Sequence, residues 1–137
     1  MVEEPSSFIA YRFRRVLIPI VPQPHAEQAM NIAMELAINY GSRLTFLYVA
    51  SSDSDPAIEK VGKMLEEKLK GVDYELKIRV MKPGETAASE IVRELSETHY
   101  DLVIMSTRGY YGVAALIYES TSMAVALAAN TSVLILR

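Results

Sequence analysis

Short apolar runs alternate with helical patterns five times along this chain, and that alternation constrains the fold more than any other feature. The predicted strands cover residues 16–21, 44–49, 74–80, 101–105 and 132–136. Strands that alternate with helices form a parallel sheet with right-handed crossovers. Five strands in one doubly wound domain commonly take the order 3-2-1-4-5. The sequence therefore predicts a five-stranded parallel α/β sheet in that order, with helices on both faces.

The residues between the strands predict the helices and their limits. The predicted helices cover residues 25–40, 56–71 and 86–97, and a last helix ends near Asn130. Gly41 follows the first helix as the residue that takes a left-handed conformation, and Asp55 is the predicted N-cap of the second. Strand 3 alternates polar and apolar residues, as an edge strand does. Residues 1–14 are predicted to be a tail or linker without a periodic pattern, and residues 15–137 a single domain.

Composition excludes several classes of protein. The chain has 137 residues, of which half are hydrophobic, a formal charge of −3 and no cysteine. Intrinsic disorder, disulfides and cysteine-ligated metal sites are thereby excluded, and a nucleic-acid binder would need clustered positive charge. The apolar run 123–129 is far shorter than the roughly 20 residues of a membrane span. We expect a cytoplasmic protein with no membrane insertion and no nucleic-acid partner.

A ligand crevice is predicted at the carboxyl ends of strands 1 and 4, where the strand order reverses. The segments at that edge are 21–25 and 106–122. A glycine-bearing loop before a helix offers backbone N–H groups to an anion; alternatively, its glycines serve loop geometry and its hydroxyl residues cap the last helix. The candidate ligand-binding residues are Val21, Val49, Ser106, Thr107, Arg108, Gly109, Glu119, Ser120, Thr121 and Ser122.

Several segments together resemble the universal stress protein family over residues 15–137. They are Ile18-Pro19-Ile20 in strand 1, the alanine-rich first helix ending at Gly41, Pro83-Gly84-Glu85, Met105-Ser106-Thr107-Arg108-Gly109, and the closing Ser132-Val133-Leu134-Ile135-Leu136. The resemblance implies a Rossmann-like fold of the adenine nucleotide alpha hydrolase type, homodimers and a cytoplasmic stress or regulatory role. It also implies that some members bind ATP or AMP while others bind no nucleotide.

The nucleotide motif of the family is degraded in this chain. The motif is Gly-x-x-Gly, a spacer of nine residues, then Gly and Ser or Thr; here those places hold Ser106, Gly109, Glu119 and Ser120. The family's first strand usually ends in an acidic residue, Gly and Ser, where this chain has residues 21–23, Val-Pro-Gln. We therefore expect no certain cofactor, with ATP or AMP binding weakened.

The remaining polar candidates have simpler interpretations. His99 and Asp101 enter strand 4 at its amino end, far from the crevice, so His99 is interpreted as a surface residue. His25 lies near the crevice mouth and is interpreted as a first-turn residue rather than a base. No metal site is predicted from two histidines without cysteine or a carboxylate pattern. The arginines at 12, 14 and 15 are interpreted as a solvated flank.

Three functions compete at this point. The leading hypothesis is a non-catalytic stress-response module that forms a homodimer through strand 5, by way of Val133, Leu134, Ile135 and Leu136. Such an apolar edge invites pairing; covering of the edge by the N-terminal tail is the alternative. The rival hypotheses are a nucleotide-binding protein or weak ATPase on the same fold, and a cytoplasmic regulatory domain of a larger protein such as a transporter.

Overall fold

The structure is a computed structural model that describes residues 7–107 and 112–137. For residues 112–119 it describes the backbone alone. The described residues form ten helices and strands. The helices are α1 (Phe8–Arg12), α2 (Ala26–Tyr40), α3 (Ala57–Lys68), α4 (Ala87–Glu97) and α5 (Gly112–Ala128). The strands are β1 (Arg15–Pro19), β2 (Arg43–Ala50), β3 (Tyr74–Val80), β4 (Leu102–Ser106) and β5 (Ser132–Leu136).

The five strands form one parallel sheet in the order β3-β2-β1-β4-β5, which confirms the predicted fold. Alternate residues of β1 enter two separate apolar layers. Ile18 packs with Ala29 of α2 and Leu65 of α3 on one face of the sheet. Leu17 packs with Ile91 of α4 on the other face. Helices therefore cover both faces, and the ends of the central strands lie at a common edge between them.

Two predicted boundaries need correction. β1 ends at Pro19 rather than at Val21, because a tight turn follows in which the Gln23 N–H donates to the Val21 carbonyl at 2.8 Å. The N-cap of α3 is Pro56 rather than Asp55, and α3 ends at Lys68 instead of near residue 71. Asp55 still binds the helix start, since its Oδ1 accepts the Ala57 N–H at 2.9 Å.

The N-terminal segment contains a short helix that the sequence pattern did not predict. The Ser7 hydroxyl accepts the Ala10 N–H at 3.0 Å and so caps α1. Phe13 then packs against the core beneath α2 and α3. Local capping, rather than an apolar periodicity, therefore forms this helix. Within the described parts of the chain, no helix has the length and apolarity needed to cross a membrane.

A buried carboxylate connects α4 to the edge strand β3. The side chain of Glu94 is 3% exposed. Its Oε2 accepts hydrogen bonds from the Lys77 ammonium at 2.9 Å and from the Tyr100 hydroxyl at 2.6 Å. Its Oε1 accepts Nη2 of Arg79 at 2.8 Å, and the same guanidinium reaches the exposed Glu97 at 2.5 Å. Two cations and one hydroxyl thus offset the cost of burying this charge.

We expect Glu94→Gln to destabilise the fold by about 2 kcal/mol at neutral pH, because charged hydrogen bonds become neutral ones. Burial alone would raise the pKa of Glu94, but the hydrogen bonds from Tyr100, Lys77 and Arg79 outweigh it and lower that pKa. The stability that the Glu94 charge contributes is therefore present above the ordinary glutamate pKa, about 4.3, and is lost as pH falls through the lowered value. Denaturant unfolding of both proteins at neutral and at acid pH measures this.

Glu97→Gln is the matched control, since it removes a charge from the same helix and the same arginine at a side chain that is 56% exposed. We expect it to cost less than about 1 kcal/mol. If the free energies of unfolding of the native and Glu94→Gln proteins differed by the same amount at neutral and at acid pH, the assigned role of the Glu94 charge would be contradicted.

Candidate functional site

A cavity of about 280 Å³ opens at the carboxyl ends of β1, β2 and β4, at the edge where a ligand crevice was predicted. Most of its described lining is apolar, with two hydroxyl residues, one tyrosine and one histidine among the side chains. The lining residues are Pro19, Ile20, Val21, His25, Ala26, Ala29, Leu47, Tyr48, Val49, Ala87, Ile91, Met105, Ser106 and Thr121. Such a lining suits a small ligand with an apolar or aromatic body and few polar groups.

Small side chains on two helices leave this space open. Ala26 and Ala29 lie on the buried face of α2, and Ala87 lies in the first turn of α4. Alanines on the buried face of α2 allow close contact between this helix and the sheet. At the start of α2 the same small side chains also line the cavity, because they do not extend across the strand ends.

Ser106 stabilises one wall of the cavity through a hydrogen bond. Its hydroxyl donates to the backbone carbonyl of His25 at 3.1 Å, which ties the end of β4 to the start of α2. The segment between β1 and α2 contains Pro22 and Pro24, whose rings restrict its backbone. The cavity mouth is therefore held by one long-range hydrogen bond and a proline-restricted loop.

Tyr48 and Asp55 hold a second wall. The Tyr48 hydroxyl donates to Asp55 Oδ2 at 2.8 Å, and the Ser51 N–H donates to the same oxygen at 3.1 Å. The hydrogen bonds that Asp55 accepts from the Ala57 N–H, the Tyr48 hydroxyl and the Ser51 N–H lower the pKa of its carboxyl. Asp55 is thus an anion that fixes the loop after β2 and orients the tyrosine that lines the cavity.

The structure brings four of the predicted site residues together: Val21, Val49, Ser106 and Thr121 all line the cavity. Thr107 is buried and points to β5, since both its N–H and its hydroxyl donate to the Leu136 carbonyl, at 2.8 and 3.3 Å.

Five further candidates do not line the cavity with described side chains. Ser120 is exposed on α5, whereas Ser122 is buried in the same helix. Arg108 and Gly109 lie outside the described residues, and Glu119 lies in the part of α5 whose side chains are not described.

Sequence reasoning missed the contribution of α4, whose Ala87 and Ile91 line the cavity. The signal available was the amphipathic spacing of this helix, which indicates a buried face but not the residues that lie opposite it. The His99 interpretation is confirmed: its ring is 75% exposed and lies 2.9 Å from Asp101 at the amino end of β4. Among the described residues, no group of three His, Cys, Asp or Glu side chains could hold a metal ion.

Comparison with known proteins extends these observations. The model of the universal stress protein family matches residues 12–137 of this chain. A search of curated proteins returned no match.

Three solved structures illustrate the likeness of the fold. The universal stress protein UspA from Lactobacillus plantarum is 20% identical, with a TM-score of 0.69 over 92% of this chain and 99% of that one. A universal stress protein in complex with cAMP is 19% identical, with a TM-score of 0.72 over 92% and 98%. The universal stress protein from Archaeoglobus fulgidus in complex with dAMP is 17% identical, with a TM-score of 0.67 over 92% and 99%. At these identities the likeness shows the fold.

We expect the imidazole of His25 to be neutral at pH 7. Burial at the cavity mouth lowers the pKa of His25, because the charged ring loses water. Folding stability is then lost as pH falls from the ordinary histidine pKa of about 6.5 through the lowered value, since the unfolded chain binds the proton first. An NMR titration of the ring protons measures the midpoint, and His99→Gln leaves His25 as the single histidine signal. A midpoint above about 6.5 would show that the ring is not desolvated.

Proposed function

The chain belongs to the universal stress protein family, and from that premise we propose that it is a non-catalytic, cytoplasmic regulatory module of the stress response that acts as a homodimer. Its ligand is a nucleoside monophosphate or a smaller molecule, and ATP binds weakly or not at all. The observation that carries this proposal is the mainly apolar cavity at the carboxyl ends of β1, β2 and β4.

The size and lining of the cavity support a small ligand. A volume of about 280 Å³ is close to the lower end of the range for small-molecule sites, about 300 to 1,000 Å³. An apolar wall accepts the face of a nucleobase, and Ser106 and Thr121 contribute hydroxyl groups to the lining. Two relatives of the same fold were solved with monophosphates, cAMP and dAMP.

Three residues argue against a triphosphate. Glu119 occupies the position at which the family motif has a glycine. A glycine lets the phosphates approach the backbone closely, whereas a glutamate adds a negatively charged carboxylate at this position. At about 4 Å and an effective dielectric near 20, one such repulsion costs at most roughly 4 kcal/mol, or almost three decades in affinity. Ser106 adds a side chain at the other lost glycine, and it is already engaged with the His25 carbonyl. Val21 replaces the acidic residue that the family usually has beside the nucleotide.

The alternative is a nucleotide-handling enzyme such as a weak ATPase. An ATPase must orient water and stabilise charge on the transferred phosphoryl group. The described lining offers His25, two hydroxyls and Tyr48, whose own hydroxyl donates to Asp55. Sustained release of ADP from Mg-ATP by the purified protein would favour the enzyme over the binding module.

Calorimetric titration with Mg-ATP and with AMP tests the ligand. We expect the native chain to bind AMP more tightly than ATP, and the double variant Glu119→Gly, Ser106→Gly to gain up to about three decades in ATP affinity. Micromolar binding of ATP by the native chain would contradict the proposal.

A cavity-filling variant tests where the ligand binds. Ala29→Leu places three extra carbon atoms in the cavity, so AMP binding is expected to be lost. Ala37→Leu is the matched control, because Ala37 lies on the same helix but at the opposite end of the sheet. Equal loss of AMP binding in both variants would show that the effect is not local to the cavity.

The two edges of the sheet support dimerisation through β5. The residues from Val133 to Leu136 carry no charge and no proline, and Leu134 is 37% exposed. At the other edge, β3 carries three charged residues at alternate positions, Glu75, Lys77 and Arg79. Charged side chains protect an edge strand from pairing, whereas an uncharged edge favours it.

Light scattering of the purified chain is expected to give twice the chain mass of 15.3 kDa. Leu134→Lys should yield the monomer, because it places a charge on the pairing edge. Ile78→Lys is the matched control on β3, since Ile78 is also 37% exposed. A native monomer at micromolar concentration would refute the dimer, as would a dimer unchanged by both Leu134→Lys and the double variant Val133→Lys, Ile135→Lys.

A further inference from the structure

The N-terminal helix exposes large apolar side chains at the amino end of the sheet. Phe8 is 77% exposed, Tyr11 60% and Ile9 39%. None of the residues of α1 is buried, so the helix lies on the surface. Such side chains in a cluster are unusual on a surface that faces water alone, and they indicate an interaction site.

Three exposed arginines follow directly. Each guanidinium lies over an aromatic ring: Arg12 lies 5.8 Å from the ring centre of Phe13, Arg14 lies 5.3 Å from Tyr11, and Arg15 lies 5.8 Å from Tyr100. The ion pairs among the described residues involve none of these three arginines. Their charges are therefore available to an external anion. We call the apolar and cationic side chains together the amino-edge patch, which comprises Phe8, Ile9, Tyr11, Arg12, Arg14 and Arg15.

Nearby acids reduce the positive charge only in part. Asp101 Oδ2 accepts hydrogen bonds from the backbone N–H groups of Arg14 and Arg15 at 3.1 and 2.9 Å, and its Oδ1 lies 2.9 Å from His99, so one negative charge lies beside the three arginines. Arg15 and its register partner Arg43 line one depression together with Asp73 and Glu75, so the charges of Arg12 and Arg14 are the less compensated part of the patch, and Arg43 is not counted in it. Residues 3 and 4 are both glutamate and lie outside the described residues.

We propose that the amino-edge patch binds the surface of an anionic lipid membrane. Aromatic and aliphatic side chains enter the boundary between headgroups and acyl chains, while arginines beside them contact anionic headgroups. The patch combines both kinds of side chain within one exposed segment, residues 8–15. An exposed helix can lie on a membrane surface, whereas an acidic peptide helix would need a groove to receive its apolar face. The binding is peripheral and requires no spanning segment.

This surface is separate from the cavity. The cavity lies at the carboxyl ends of the strands, and the amino-edge patch precedes and begins β1 at the opposite end. Membrane association could therefore proceed with a ligand bound, and the proposal does not depend on which ligand the cavity takes.

Co-sedimentation of the full chain with lipid vesicles tests the proposal. We expect binding to vesicles of phosphatidylcholine with phosphatidylserine, much weaker binding to phosphatidylcholine alone, and a loss of binding at high salt. Each arginine near an anionic surface contributes about five-fold in affinity, so Arg12→Gln, Arg14→Gln should weaken binding about 25-fold. Phe8→Ser, Tyr11→Ser should weaken binding while leaving its salt dependence in place.

The matched control is Lys60→Gln, Lys63→Gln, which removes the same charge from exposed positions on α3. It should bind vesicles as the native chain does, and circular dichroism should show that all variants are folded. Equal binding to both kinds of vesicle, or equal weakening by the lysine and arginine variants, would overturn the proposal. Binding to a poly-glutamate peptide but to neither vesicle would also overturn it and assign the amino-edge patch to an acidic protein partner.

Discussion

Burial of β1 and β4 on both faces is the constraint on which the rest of the structure depends. Val16, Leu17 and Ile18 of β1 are fully buried, as are Val103 and Ile104 of β4. Two adjacent strands that expose neither face to solvent need helices on both sides of the sheet. The chain therefore continues to one side of the sheet after β1 and to the other side after β4. The connections diverge at the carboxyl ends, and the cavity lies where they part.

The sheet order could be predicted from the sequence because five strands alternating with helices commonly take this order in a doubly wound domain, and the patterns of β3 and β4 agree with it. Polar and apolar residues alternate along β3, which lies at an edge of the sheet, whereas β4 is mainly apolar and lies inside the sheet. The lining of the cavity could be predicted only in part. Val21, Val49 and Ser106 follow from their places at strand ends, but Ala87 and Ile91 contact the cavity through packing between distant segments. Helix α1 was missed because a single cap at Ser7 forms it.

The buried acids of α4 show a further limit of pattern reasoning. Glu90 and Glu94 are both buried, although glutamate is a residue type that usually lies on the surface. Their partners Arg79 and Lys77 come from β3, where alternation places them on the face toward α4. Long basic side chains reach a buried carboxylate while their stems cover apolar surface. Such a pairing depends on a register between strand and helix that the sequence does not state.

The unequal edges of the sheet limit how copies of this chain can assemble. A filament grows when a molecule presents two complementary surfaces, one at each end, so that every added copy leaves a free surface for the next. Here the charged residues of β3 protect one edge, and the uncharged residues of β5 leave the other edge available. A single available edge can join one other copy through a twofold axis, and that contact uses up the surface. In the β5 dimer that we propose, the charge pattern of β3 thereby favours closed pairs over open-ended fibres.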